Sequence, residues 1–271
     1  MRFSPLPRLV RFFLFFILVI TLFVPLPFAI VMPGPATDVL GPVVKFPTRF
    51  TERVPAPTGK LLLTTVSVTT PNSKVFGLEV LARWIQPEGV VVPKSVIYEP
   101  DADVEEEKKA SLAEMDGSQD NAVIAAFDYL NQYEPALAPY LRSGELNSRQ
   151  VKFDLPNTGG PSGGLIFALG IVEKLNAAQL VNGRLIAGTG TINKKGEVGP
   201  IGGIEDKLIG AKRAGATLFI APIDNCIDIT RIPSGLQVVA VSTLAEAVTL
   251  LKKPAQALAK LPALSGCSSS A

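Results

Sequence analysis

Histidine is missing altogether from this 271-residue chain, and cysteine occurs only twice, as Cys226 and Cys267. Without imidazole, and with at most two thiolates, the usual structural or catalytic zinc sites cannot be assembled. A serine or cysteine nucleophile activated by histidine is equally excluded. No acidic cluster has the spacing of a calcium loop, and the run DADVEEEKK at 101–109 reads as a solvated loop or the start of a helix. The phosphate-cradling pattern G-x-x-x-x-G-K-[ST] occurs nowhere, which disfavours nucleotide hydrolysis. Net charge is only +2, and the part of the chain beyond Arg2, Arg8 and Arg11 is close to neutral, so there is no basic footprint for nucleic acid. No metal, cofactor or nucleotide is therefore expected. The two cysteines allow at most one internal disulfide, and the sequence leaves their pairing open.

What is present first is an apolar run, FFLFFILVITLFVPLPFAIVM at 12–32, with the three arginines ahead of it and no further basic residue until Lys45. Its length and flank predict one transmembrane helix, with the amino terminus cytoplasmic and everything after it outside the cytoplasm. A cleaved signal peptide, with Gly34-Pro35-Ala36 as its processing site, is the competing reading.

Residues 33–60 hold six prolines and no sustained period, so 37–60 reads as an extended spacer. Beyond it strand and helix patterns alternate: LLLTTVSVTT as a strand, VFGLEVLARWIQP as a short helix, SQDNAVIAAFDYLNQY as a longer helix capped by Ser118. A strand near 150–155, a helix over 163–175, and the strand LIAGTGTI at 185–192 follow. Then come a helix over 204–214, strands TLFIAP and LQVVAVS, and a last helix opened by Thr243 with Glu246 in a capping box. This alternation predicts an α/β domain. The tail at 254–271 is small, repetitive and expected to be disordered.

The stretch GGPSGG at 159–164 places Ser162 between glycine pairs, directly ahead of an apolar helix that should be buried on nearly every side. Unpaired N–H groups at the mouth of such a helix suit an oxyanion, with the Gly160, Ser162 and Gly163 backbone as the candidate donors. Ordinary turn chemistry, with Ser162 as a mere helix cap, accounts for the same residues. If the serine is a nucleophile, its base must be a carboxylate, an amino-terminal amine, or a lysine desolvated enough to lose its proton. On the helix over 204–215, Ile204, Lys207, Leu208, Ala211, Ala214 and Gly215 share one arc of about 120°. Lys207 is thus the only charged residue on the face this helix should bury. A lysine at the rim of an apolar stripe also snorkels to water, and that reading stays open. No Ser-x-x-Lys spacing occurs, so the β-lactamase arrangement is absent.

NTGGPSGGLIFALGIVEKL, GRLIAGTGTINKKGEVGPIGGIEDKLIGAKRAGATLFIAP and DNC together resemble the proteolytic domain of the Lon family of serine peptidases, most closely its ATP-independent, membrane-anchored, extracytoplasmic branch. The resemblance is strong over about 151–250, and weaker at LTTV and SQDNA. It implies a Lon-type α/β fold of mixed sheets and helices. It also implies Ser162 as nucleophile, Lys207 as general base and Thr189 as the residue that helps hold the lysine. The activity implied is peptide-bond hydrolysis without ATP, on flexible or unfolded protein substrates, by a membrane-tethered homo-oligomer. A PDZ domain usual in that branch cannot fit in the connector at 131–150. The expected organisation is an anchor at 1–36, the spacer at 37–60, a proteolytic domain over 61–253 and the tail. The alternative is a non-catalytic anchored module that keeps the fold for binding or assembly.

Overall fold

A computed structural model describes residues 7–52, 54–85, 88–99, 102–155, 158–176 and 179–267. The chain divides into two compact units, one of residues 1–32 and 67–106, the other of residues 33–66 and 107–271. The sequence assigns 61–253 to one proteolytic domain and 254–271 to a tail. The stretch between the strand at 60–68 and the long helix instead departs to build, with the amino-terminal segment, a unit of its own.

The larger unit is organised by parallel strands. Lys60–Val68, Leu185–Gly188, Leu218–Pro222, Gln237–Val241 and Leu264–Ser265 lie side by side in that order. Alternate residues of a strand point to opposite faces, and the core divides accordingly. Leu61, Leu63, Ile186, Ile220, Val239 and Val241 pack into one cluster with the helices Val104–Tyr133, Gly164–Leu175 and Leu244–Leu251. Leu62, Ala187, Phe219 and Val238 pack into a second cluster with Ile204, Leu208 and Ala211 of the helix Ile204–Arg213. The serine helix and the lysine helix thus cover opposite faces of one sheet.

Several elements depart from expectation. The helix expected from Ser118 begins at Val104, so Ser118 lies within it rather than capping it. The acidic run supplies its first turns, where acidic side chains favour the helix dipole. Within the expected spacer, the part at 39–50 is packed: Val39, Val43, Val44 and Phe50 are buried, and the Lys174 ammonium donates to the Gly41 and Val44 carbonyls at 2.9 and 2.5 Å.

The tail, expected to be disordered, carries a short helix, Ala255–Leu258, and the Leu264–Ser265 strand, and the Gln237 amide donates to the Leu258 and Leu261 carbonyls. A disulfide joins Cys226 to Cys267 across 41 residues of chain, a constraint that no composition rule weighs. Closing a loop of that size stabilises by about 4 kcal/mol in the chain-entropy picture. Replacing both cysteines by serine is expected to lower stability by about 2–4 kcal/mol, read as a lower urea midpoint.

The smaller unit contains the apolar amino-terminal run, and the expected transmembrane helix over 12–32 does not form. The helix is Arg8–Phe23, and Phe28–Asp38 is a strand whose first residues pair with Val90–Pro93. Pro25 and Pro27 lack the N–H a helix needs and hold the residues before them extended, as the backbone of Val24 shows. Among the described residues no helix is long and apolar enough to cross a membrane. Sixteen residues reach about 24 Å, against about 30 Å of bilayer hydrocarbon. Gly77–Ile85 forms the second helix of this unit.

Candidate active site

The strand Leu185–Gly188 ends at the centre of the sheet, and the chain then breaks direction at Gly190 instead of running straight to Ile192 as the sequence suggests. A β-carbon at Gly190 would press on Val198 and Leu165 at 3.0 and 3.1 Å. The break turns the Gly190 N–H onto the Ser162 carbonyl at 2.8 Å and its carbonyl onto the Leu165 N–H at 3.0 Å. Thr189, fully buried, adds its hydroxyl to the same Ser162 carbonyl at 3.0 Å. The end of a central parallel strand therefore clasps the backbone at Ser162. Carboxyl ends of strands in such sheets are where sites are commonly built.

Ser162 occupies a tight turn, Pro161–Gly163, that leads into the buried helix Gly164–Leu175. The long helix fixes this turn from the other side. Its Ser118 hydroxyl donates to the Pro161 carbonyl at 2.8 Å, and its Ser111 carbonyl accepts from the Gly160 N–H at 2.8 Å. Gly164 makes the approach possible, since a β-carbon there would meet the Ser118 hydroxyl at 2.9 Å and Ile192 at 2.8 Å. The sequence predicts Ser118 as a helix cap and gives no sign of this role, since Pro161 lies 43 residues away. The same contact removes one expected donor: the Gly160 N–H is directed at Ser111. The Gly164 N–H closes onto Pro161, and the Leu165 N–H onto Gly190. The N–H groups of Ser162 and Gly163 are the remaining candidates for an oxyanion.

Lys207 arrives from the opposite face of the sheet. Only 2% of it is exposed, so it does not snorkel. Its Nζ donates to the Thr189 hydroxyl at 3.0 Å. Burial pushes its pKa down from 10.5 to about 8, because the charged form loses its hydration. Lys207, Thr189 and the Ser162 backbone thus form one hydrogen-bonded chain. The Ser162 side chain itself is partly buried.

The hydrogen-bond directions matter. The Thr189 hydroxyl spends its hydrogen on the Ser162 carbonyl, so toward Lys207 it can only accept. A neutral lysine held this way gives one N–H to Thr189 and keeps its lone pair for a proton. The loop ahead of the lysine helix is held by the buried Asn225, whose amide exchanges two hydrogen bonds with the Ile201 backbone at 2.8 and 2.9 Å. Glu173, also buried, lies near the other end of the serine helix; burial raises its pKa, and one oxygen accepts from the Val181 N–H. At about 1.5 Å per residue it is too far along the helix to touch Ser162. Among the described residues no group of three or more metal-binding side chains is assembled.

Residues 146–253 match the model of the Lon protease (S16) C-terminal proteolytic domain, and the mixed α/β arrangement fits such a domain. The chain is 42% identical over 78 residues to Lon protease 1 of Bacillus subtilis (strain 168), covering 29% of this chain and 10% of that protein. It is 35% identical over 132 residues to Lon protease 1 of Sorangium cellulosum (strain So ce56), covering 46% and 16%. With Lon protease of Clostridium beijerinckii it shares 36% identity over 104 residues, covering 35% and 13%. The matches thus take in less than a fifth of the length of these curated relatives.

Proposed function

We propose that the larger unit is an ATP-independent serine endopeptidase. Neutral Lys207 accepts the Ser162 hydroxyl proton as Ser162 Oγ attacks the scissile carbonyl carbon. The oxyanion takes hydrogen bonds from the Ser162 and Gly163 N–H groups, and the Lys207 ammonium returns the proton to the departing amine. Water, deprotonated by the same lysine, then clears the acyl-enzyme. The observation that carries this reading is a lysine 2% exposed, held on Thr189, which in turn holds Ser162. Lys207 Nζ binds Thr189 rather than Ser162 Oγ, so proton transfer requires the two side chains to close on each other when substrate is bound, as catalytic hydrogen bonds commonly do.

Substrates would be flexible or unfolded protein segments. The disulfide favours an oxidising compartment outside the cytoplasm. Attachment to a membrane surface is supported by the helix Arg8–Phe23, which has no buried residue and carries Arg8 and Arg11 at its start. Cleavage of a labelled unfolded protein without ATP tests the reading. Ser162→Ala and Lys207→Ala are each expected to lower the rate about 10³-fold or more. With a lysine pKa near 8, the wild-type rate should climb as pH rises through that value, since only the deprotonated amine is a base. Undiminished cleavage in either variant overturns the assignment.

A further inference from the structure

We propose that the helix Gly77–Ile85 is a second membrane contact, with Trp84 at the boundary between headgroups and hydrocarbon. This rests on the attachment just proposed for the first helix. The two helices adjoin: Gly77 lies against the Thr21 carbonyl, and a β-carbon there would come within 3.2 Å of the Leu22 α-carbon. The second helix therefore begins where the first one ends.

Its side chains are sorted by the helical period. Leu78, Leu81, Trp84 and Ile85 fall on one stripe, and all four are exposed, Trp84 by 78% and Ile85 by 77%. Glu79 and Arg83 lie on the other side at about 100° per residue. Glu79, the one acid of this helix, is already engaged in accepting from the Phe76 N–H at 3.0 Å. So apolar a stripe calls for a cover.

The neighbouring helix identifies that cover. Phe12, Phe13, Leu14 and Phe15 point in directions that go around the whole helix at about 100° per residue, and each is exposed by 51% or more. A protein partner covers a face, whereas hydrocarbon surrounds. No acid occurs before Asp38, and Arg8 and Arg11 suit anionic headgroups. At about 24 Å the first helix is shorter than the hydrocarbon is thick. A short apolar helix draws its flanking residues toward the membrane, and the flank here is the stripe on Gly77–Ile85. Tryptophan is the side chain most at home at that depth.

Trp84 is the only tryptophan in the chain, so its fluorescence reports this helix alone. The full-length protein is to be mixed with vesicles of phosphatidylcholine and phosphatidylglycerol, floated, and its emission read against acrylamide and against phosphatidylcholine brominated at shallow or deep acyl positions. We expect flotation, a blue-shifted emission, loss of most acrylamide quenching, and stronger quenching by shallow than by deep bromine. In Leu78→Glu/Leu81→Glu, which alters only exposed positions, acrylamide quenching should return while the protein still floats. A wild-type protein that floats with Trp84 open to acrylamide overturns the second contact and leaves the first. Floating protein with Trp84 shielded from both acrylamide and bromine overturns it in favour of a covering protein, such as another copy of this chain. Failure to float overturns both.

Discussion

Lys207→Met should make the protein more stable while abolishing cleavage. The folded pKa lies near 8 and the unfolded one near 10.5, so below pH 8 the folded chain must hold a charge in a dry place that the unfolded chain holds in water. The sign follows directly. Between about pH 8 and 10.5 the unfolded state binds more protons, stability rises with pH across that window, and the full penalty is present below it. The difference corresponds to roughly 3 kcal/mol. Methionine has a similar shape and no charge, so the variant should gain about 1–3 kcal/mol at pH 7. Urea unfolding of both proteins at pH 7 and pH 10 checks this: the gap must shrink at the higher pH. A variant less stable than wild type at pH 7, or a gap indifferent to pH, would show that Lys207 is not a desolvated amine.

Thr189→Val tests the link between the two faces. Valine fills nearly the same volume but removes the hydroxyl that accepts from Lys207 and donates to the Ser162 carbonyl. The Ser162 carbonyl keeps the Gly190 N–H, so the turn should hold, while the lysine is left buried without its partner. We expect kcat to fall about 10²-fold with KM little changed, and stability to drop by about 2 kcal/mol. Losing a hydrogen bond to the charged form pushes the lysine pKa further down. The acid limb of the rate profile should therefore move to lower pH. A merely structural role would not move that limb. Thr189→Ser should restore both rate and profile.

Much of this site could be read from residue order because its parts are local. The glycines around Ser162 and the apolar stripe carrying Lys207 are each written within a dozen residues, and the structure places Ser162 at the entry of a buried helix and Lys207 in the core. Thr243 accepts from the Glu246 N–H as its spacing predicts, although Glu246 reaches back to Ser242 rather than completing the box. What escaped reading is set by distant partners. Ser118 meets Pro161 across 43 residues, and nothing near Ser118 announces it. The break at Gly190 is dictated by Ser162 and Leu165, which come much earlier in the chain. The amino-terminal run shows the opposite failure: its length and hydropathy predict one helix, whereas the missing donors of Pro25 and Pro27 turn its last third into strand.

The bond between Cys226 and Cys267 has a practical corollary for anyone purifying this molecule. A single backbone nick between those two positions releases nothing. Such a clipped sample keeps its mass on a non-reducing gel and parts into two pieces only once thiol is added, so integrity must be judged under both conditions.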